Sequence, residues 1–193
     1  MCQNLLQSTA FFSFLVCIDQ ELAQEAGHRG CRCCGGRLHW ACYPRKPRGA
    51  QCRLDPAYHW RFSFCCAECR RRTTPTSVRF LGRRVYLGVV VTLACALSAG
   101  LSLGRASVLT EALQIPRRTL QRWRHWWLDE FVQTPFWQDR QACFMPPPVE
   151  ESWLPESLRA RFQAADEAGR WGLLLRFLTP LTSRTANDFC EGR

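Results

Sequence analysis

The chain has 193 residues, 47% of them hydrophobic, which is enough to bury a core without depending on disulfides, so a disulfide miniprotein is excluded. Its net charge of +10 is carried almost wholly by arginine, because Lys46 is the sole lysine. Thirteen cysteines, an odd count, suit metal ligation plus scattered thiols in a reducing cytoplasm better than complete pairing outside the cell.

In chain order, the first feature is an apolar stretch over residues 5–18. No basic residue precedes it, Gln7, Ser8 and Thr9 interrupt it, and no small-x-small cleavage site follows, so it does not read as a signal peptide. Leu15, Ile18, Leu22 and Ala26 recur at helical spacing, and Gly27 and Gly30 supply breakers. Residues 1–30 are therefore expected to form an amphipathic helix leading into the cysteines.

"CRCCGGRLHWACYPRKPRG" follows, and Cys31 and Cys34 form a C-x-x-C pair matched downstream by Cys66 and Cys69 in "FCCAECRRR". A C-x-x-C turn directs two thiolates to one metal, a following glycine accepts positive φ, and two such knuckles complete a tetrahedron. The expectation is one structural Zn2+, closed by four thiolates and so without an open position for catalysis. Cys33 and Cys65 lie beside the chosen ligands and compete with them. His28, His39 and His59 are substitute ligands in principle, while Cys2, Cys17, Cys42, Cys52, Cys95, Cys143 and Cys190 read as packing or incidental thiols. A thioredoxin-like redox motif needs one pair beside a βαβ unit, and this chain has two pairs and no such unit.

Residues 31–82 read as a zinc ribbon. "RLHWAC" leaves the first knuckle as a strand, "HWRFSFC" alternates aromatic and polar residues as a second, and "SVRFL" is the candidate third. Arg70 stands where the second knuckle often has glycine. Between Arg29 and Arg84 the only carboxylates are Asp55 and Glu68, so the partner of this region should be anionic. Arg45, Lys46 and Arg48 in the proline-bracketed loop, which superficially resembles an AT-hook, and Arg70, Arg71 and Arg72 after the second knuckle are candidate phosphate contacts.

Residues 85–103 carry no charge and approach the ~20 residues that span a bilayer. Gly88, Thr92, Ser98, Gly100 and Ser102 dilute the stretch, and we read it as a buried helix with no membrane association. It leads into "SVLTEALQIPRRTLQRWRHWWLDEF", where Val108, Leu109, Ala112 and Leu113 pattern a short helix, Gln114 and Ile115 a turn, and Pro116 the first position of the next helix. Along that helix Leu120, Trp123, Trp127 and Phe131 share one face. Arg118, Gln121, Arg122 and His125, with Arg117 at the start, form the opposite stripe, which suits base edges and phosphates in a major groove.

This stretch, with Thr119, Leu120, Gln121, Arg122 and Trp123 in a T-L-x-R-W arrangement, resembles the helix-turn-helix of bacterial insertion-sequence transposases. Gln114 replaces the glycine common in the turn, and Pro116 the usual serine cap. The ribbon plus helix-turn-helix, over roughly residues 30–131, is similar to the targeting region of those transposases and to small transposon-associated DNA-binding proteins. The resemblance implies a cytoplasmic bacterial protein that binds double-stranded DNA, with a transposase or recombinase as a possible partner.

The domain reading is residues 1–30 helix, 31–82 ribbon, 83–132 helix-turn-helix and 133–193 linker plus helical tail, in an α+β fold. The tail, after Pro146 to Pro148, places Leu154, Leu158 and Phe162 on one helical face and Leu173, Leu174 and Phe177 later, and is expected to pack on the core. It is too short for an RNase-H-like catalytic domain. Asn4 and Asn187 are too far from the ribbon for an HNH nuclease, and carboxylates in the basic region are too sparse for a two-metal nuclease. A non-enzymatic DNA-binding protein is expected, the alternative being a zinc-stabilised adaptor for an acidic protein.

Overall fold

The computed structural model describes residues 5–45, 54–80, 107, 110–111, 113–144 and 153–182. The apolar stretch 85–103, Lys46, Arg48 and the prolines 146–148 lie outside these residues.

The first apolar segment is one face of helix α1 (Thr9–Arg29). Ser8 caps it, accepting the Phe11 N–H at 3.2 Å, and Gly30 ends it with φ +74°. Phe11, Phe12, Leu15, Val16, Ile18 and Ala23 are buried along it. Gly27, expected to break the helix, lies inside it; the Phe64 ring packs 3.5 Å from where its Cβ would stand.

Two arms of chain then pair in a single antiparallel register. β1 (Leu38–Trp40) pairs β4 (Phe64–Cys66), with Leu38 opposite Cys66 and Trp40 opposite Phe64. β2 (Tyr43–Pro44) pairs β3 (Trp60–Arg61), with Tyr43 opposite Arg61 and Pro44 opposite Trp60. The Ala41 N–H to Ser63 O bond (2.8 Å) and the Arg45 N–H to His59 O bond (2.6 Å) keep the same register between and beyond the strands, so this is one unbulged ribbon. The third strand is not "SVRFL" but β5 (Arg72–Thr73), which pairs Cys65 with Arg72 beside β4.

Residues 77–80 turn inward instead, and the reason is Asp19 of α1. The Asp19 carboxylate is fully buried and accepts from Ser77 Oγ (2.5 Å), the Val78 N–H (2.6 Å) and Arg79 Nε (2.6 Å). Arg79 completes its bonding on the carbonyls of Ala57 and Trp60, each at 3.0 Å, and its guanidinium lies against the rings of Tyr58, Phe62 and Phe80. A buried charge persists only when paired and hydrogen-bonded, and this pair is both. Thr182 Oγ1 accepts the Ser77 N–H at 2.8 Å, which ties the C-terminal tail to the same knot.

Further along, Thr110, Glu111 and Leu113 are helical, and the chain closes that run with Ile115 N–H to Thr110 O (3.1 Å) and Gln114 N–H to Glu111 O (3.3 Å). This is the paired bonding of a Schellman stop, with Gln114 at φ +52° in the position usually held by glycine. Pro116, expected inside the next helix, stands one position outside it at ψ 141° as the cap of α2 (Arg117–His125). The helix expected to run to Phe131 widens into a π-helical turn at Trp126–Glu130, closed by Phe131 N–H to Trp126 O at 2.7 Å. A wider turn narrows the angle between successive side chains, so the adjacent Trp126 and Trp127 both enter the core, 4.9 Å apart and each against Phe131.

Helix α3 (Pro135–Arg140) follows, with α4 (Glu156–Arg159) and α5 (Glu167–Phe177) in the tail. Leu154, Leu158 and Leu174 are buried, whereas Leu173 is exposed. Gly172 brings α5 so close to α1 that a Cβ there would meet the Phe14 ring at 2.8 Å, and Arg176 pairs with Glu21. One cluster of buried residues takes Leu15 from α1, Tyr58 and Val78 from the ribbon region, Trp123 from α2 and Trp171 from α5. The architecture is α+β. Among the described residues no helix is long and apolar enough to cross a membrane.

Candidate metal centre and nucleic-acid interface

The two knuckles repeat one backbone design. Cys31 N–H donates to Gly36 O at 3.0 Å, and Cys66 N–H donates to Arg71 O at 3.0 Å, so residues 31–36 and 66–71 close equivalent loops. Gly35 at φ +72° has its counterpart in Arg70 at φ +59°. The knuckle therefore demands the left-handed conformation even where the sequence lacks glycine.

These loops bring Cys31, Cys34, Cys66 and Cys69 together, their four sulfurs all within 4.8 Å of one another. Cys31 Sγ lies 3.5 Å from Cys69 Sγ, and Cys34 Sγ 3.5 Å from Cys66 Sγ. A disulfide requires about 2.05 Å, whereas a tetrahedron with metal–sulfur bonds of about 2.3 Å has edges of about 3.8 Å. The spacing and the all-thiol donor set fit a thiolate-bound metal ion. Gly36 is part of the cradle, because a Cβ there would stand 3.1 Å from Cys66 Sγ, 3.2 Å from Cys34 Sγ and 2.6 Å from Glu68 Cγ.

The electrostatics point the same way. Backbone N–H groups of Cys33 and Cys34 hold the Cys31 thiol down at about 6. The Arg71 N–H favours the Cys69 thiolate, but burial and the three other thiols outweigh it and push Cys69 up to about 12. For Cys34 the Gly36 N–H is likewise outweighed, first by Cys66, and the thiol is raised. Four thiolates crowd one another unless a cation sits among them.

Cys33 is exposed, and Cys65 turns towards Arg70 O at 3.5 Å; neither joins the four-sulfur group. His28, His39 and His59 are exposed and outside it as well. Cys17 and Cys143 are exposed, so they are not packing residues.

The basic side chains divide into two surfaces and an interior. On α2, Arg117, Arg118, Gln121 and Arg122 are exposed while Leu120 and Trp123, and Trp127 in the π-helical turn that follows, are buried. His125 shares that exposed stripe, but its Nδ1 is 2.7 Å from Asp129 Oδ2, which places a carboxylate at the end of the stripe. On the ribbon Arg70, Arg71 and Arg72 are exposed, and Arg45 and Arg72 flank the Tyr43 ring at 5.3 and 5.5 Å.

Arg61 and Arg79, which composition alone adds to the basic surface, are buried. Arg61 Nη2 donates to Pro75 O at 2.5 Å, and burial lowers its pKa against the opposing pull of Asp19. No sequence signal marked Asp19 and Arg79 as partners, because 60 residues separate them. No family model matches the chain, and no curated protein or solved structure does.

Proposed function

We propose that this chain is a non-enzymatic, zinc-stabilised protein that binds double-stranded DNA in a bacterial cytoplasm, in an accessory or regulatory role for a mobile element alongside a transposase or recombinase. The observation that carries this reading is the two-sidedness of α2. Its Arg117, Arg118, Gln121 and Arg122 are exposed and could reach a major groove, while Leu120 and Trp123, continued by Trp127 in the π-helical turn, anchor the opposite side in the core. The preceding helical run, stopped at Gln114, supports a helix-turn-helix arrangement. Zinc is the ion that four thiolates in a closed tetrahedron favour, and such a site serves folding.

The test is a gel shift on genomic fragments and random duplex over graded salt, with and without a chelator. Phosphate contacts release counterions, so affinity should fall steeply as salt rises. Arg118→Ala and Arg122→Ala should each weaken binding by about 1–3 kcal/mol with little change in melting temperature. If both bound as tightly as the parent, α2 would not be the reader. Absence of duplex binding even at low salt would favour the adaptor reading.

A further inference from the structure

We propose that the zinc-ribbon face carrying Trp40 and Trp60 is a stacking surface for unpaired bases of single-stranded nucleic acid, separate from the α2 stripe. The continuous register places residues 40, 42 and 44 opposite 64, 62 and 60, so the two tryptophans emerge on the same face. Both indoles are well exposed, Trp40 at 58% and Trp60 at 47%, although the chain buries several other tryptophans almost completely. Trp40 is not a free rotor: Phe64 supports it at 4.4 Å and Phe62 meets it edge-on at 5.9 Å. A ring held in place loses little freedom when a base stacks on it. Trp60 stands opposite Pro44, four residues along the strand from Trp40. That spacing is roughly 13 Å, far enough for each ring to take its own base.

Charge selects the occupant. Continuing the register, Arg71 stands opposite Cys66 on the Trp40 side and is exposed, as is Arg70 at the adjoining knuckle, whereas Tyr43, with Arg45 and Arg72 around its ring, lies on the other side of the ribbon. Single-stranded nucleic acid offers the phosphates that arginine seeks and the planar faces that exposed indoles seek. An acidic peptide such as polyglutamate offers carboxylates to the arginines but no planar base to stack. The inference deepens the DNA-binding reading by naming a second form of nucleic acid, and it does not depend on α2.

The experiment uses the full, zinc-loaded chain with three probes: a short oligo-dT, an abasic strand of equal length, and polyglutamate. Oligo-dT should quench tryptophan fluorescence and bind more tightly than either other probe. Trp60→Ala should weaken oligo-dT binding roughly 5- to 150-fold, and Trp60→Phe should restore most of it. Trp60 gives the cleaner variant because Trp40 also packs on Phe64. Arg118→Ala should leave oligo-dT binding unchanged, so a failure of the α2 reading and a failure of this one are distinguishable. Equal binding of oligo-dT and the abasic strand, equal binding of polyglutamate, or full oligo-dT affinity in Trp60→Ala would overturn the proposal.

Discussion

Arg70 and Gln114 hold left-handed backbone where glycine is the usual solution, at φ +59° and +52°. A residue with a Cβ is strained there by about 1–2 kcal/mol, part of which glycine would return as greater freedom of the unfolded chain. Arg70→Gly should therefore raise stability by about 0.5–1 kcal/mol in denaturant melts, while Gly35→Ala should lower it. Gly36→Ala should impair metal binding itself, since its Cβ would press on two ligand sulfurs. Purified protein should hold about one zinc per chain, and losing any of the four cysteines should unfold the ribbon, because structural zinc contributes on the order of 10 kcal/mol to folding. With the Cys69 thiol near 12 and that of Cys34 raised, metal must displace protons from them. Acidification consequently competes with the ion, and zinc release should increase as pH falls from neutral towards 5, as read with a chromogenic chelator.

At the scale of elements, α2 and its π-helical extension separate a buried apolar side from an exposed basic side, the side proposed to read DNA. Trp123→Ala or Trp127→Ala should cost about 3–5 kcal/mol and lose DNA binding through unfolding, unlike the arginine variants. Thermal melts alongside binding assays distinguish the two classes. Much of this element was legible in the pattern: the spacing of Leu120, Trp123, Trp127 and Phe131 named the buried face correctly. The widened turn was not legible, because it arises from two adjacent tryptophans competing for one side of the core. Likewise "SVRFL" alternates like a strand, but Ser77 and Arg79 are drawn to Asp19 rather than to a neighbouring strand.

At the scale of the molecule, the Asp19–Arg79 pair joins α1 to the ribbon, and Ser77 joins that knot to Thr182 in the tail. Asp19→Ala should destabilise the whole chain by about 3–5 kcal/mol by leaving a buried guanidinium without its carboxylate. A double variant replacing Asp19 and Arg79 with apolar residues should lose much less than the two single losses combined, a difference that denaturant titration measures. The clustering of Cys31, Cys34, Cys66 and Cys69 and the two faces of α2 were legible in the chain alone, because knuckle spacing and helical periodicity are local and leave their mark within a few residues. The packing of the tail on the core was already expected from its apolar spacing, whereas the burial of Arg61 and Arg79 and the choice of Arg72–Thr73 over "SVRFL" as the third strand were settled by tertiary contacts. Those outcomes depend on contacts between residues tens of positions apart, where burial of one carboxylate dictates the path of a distant segment and no local pattern records it.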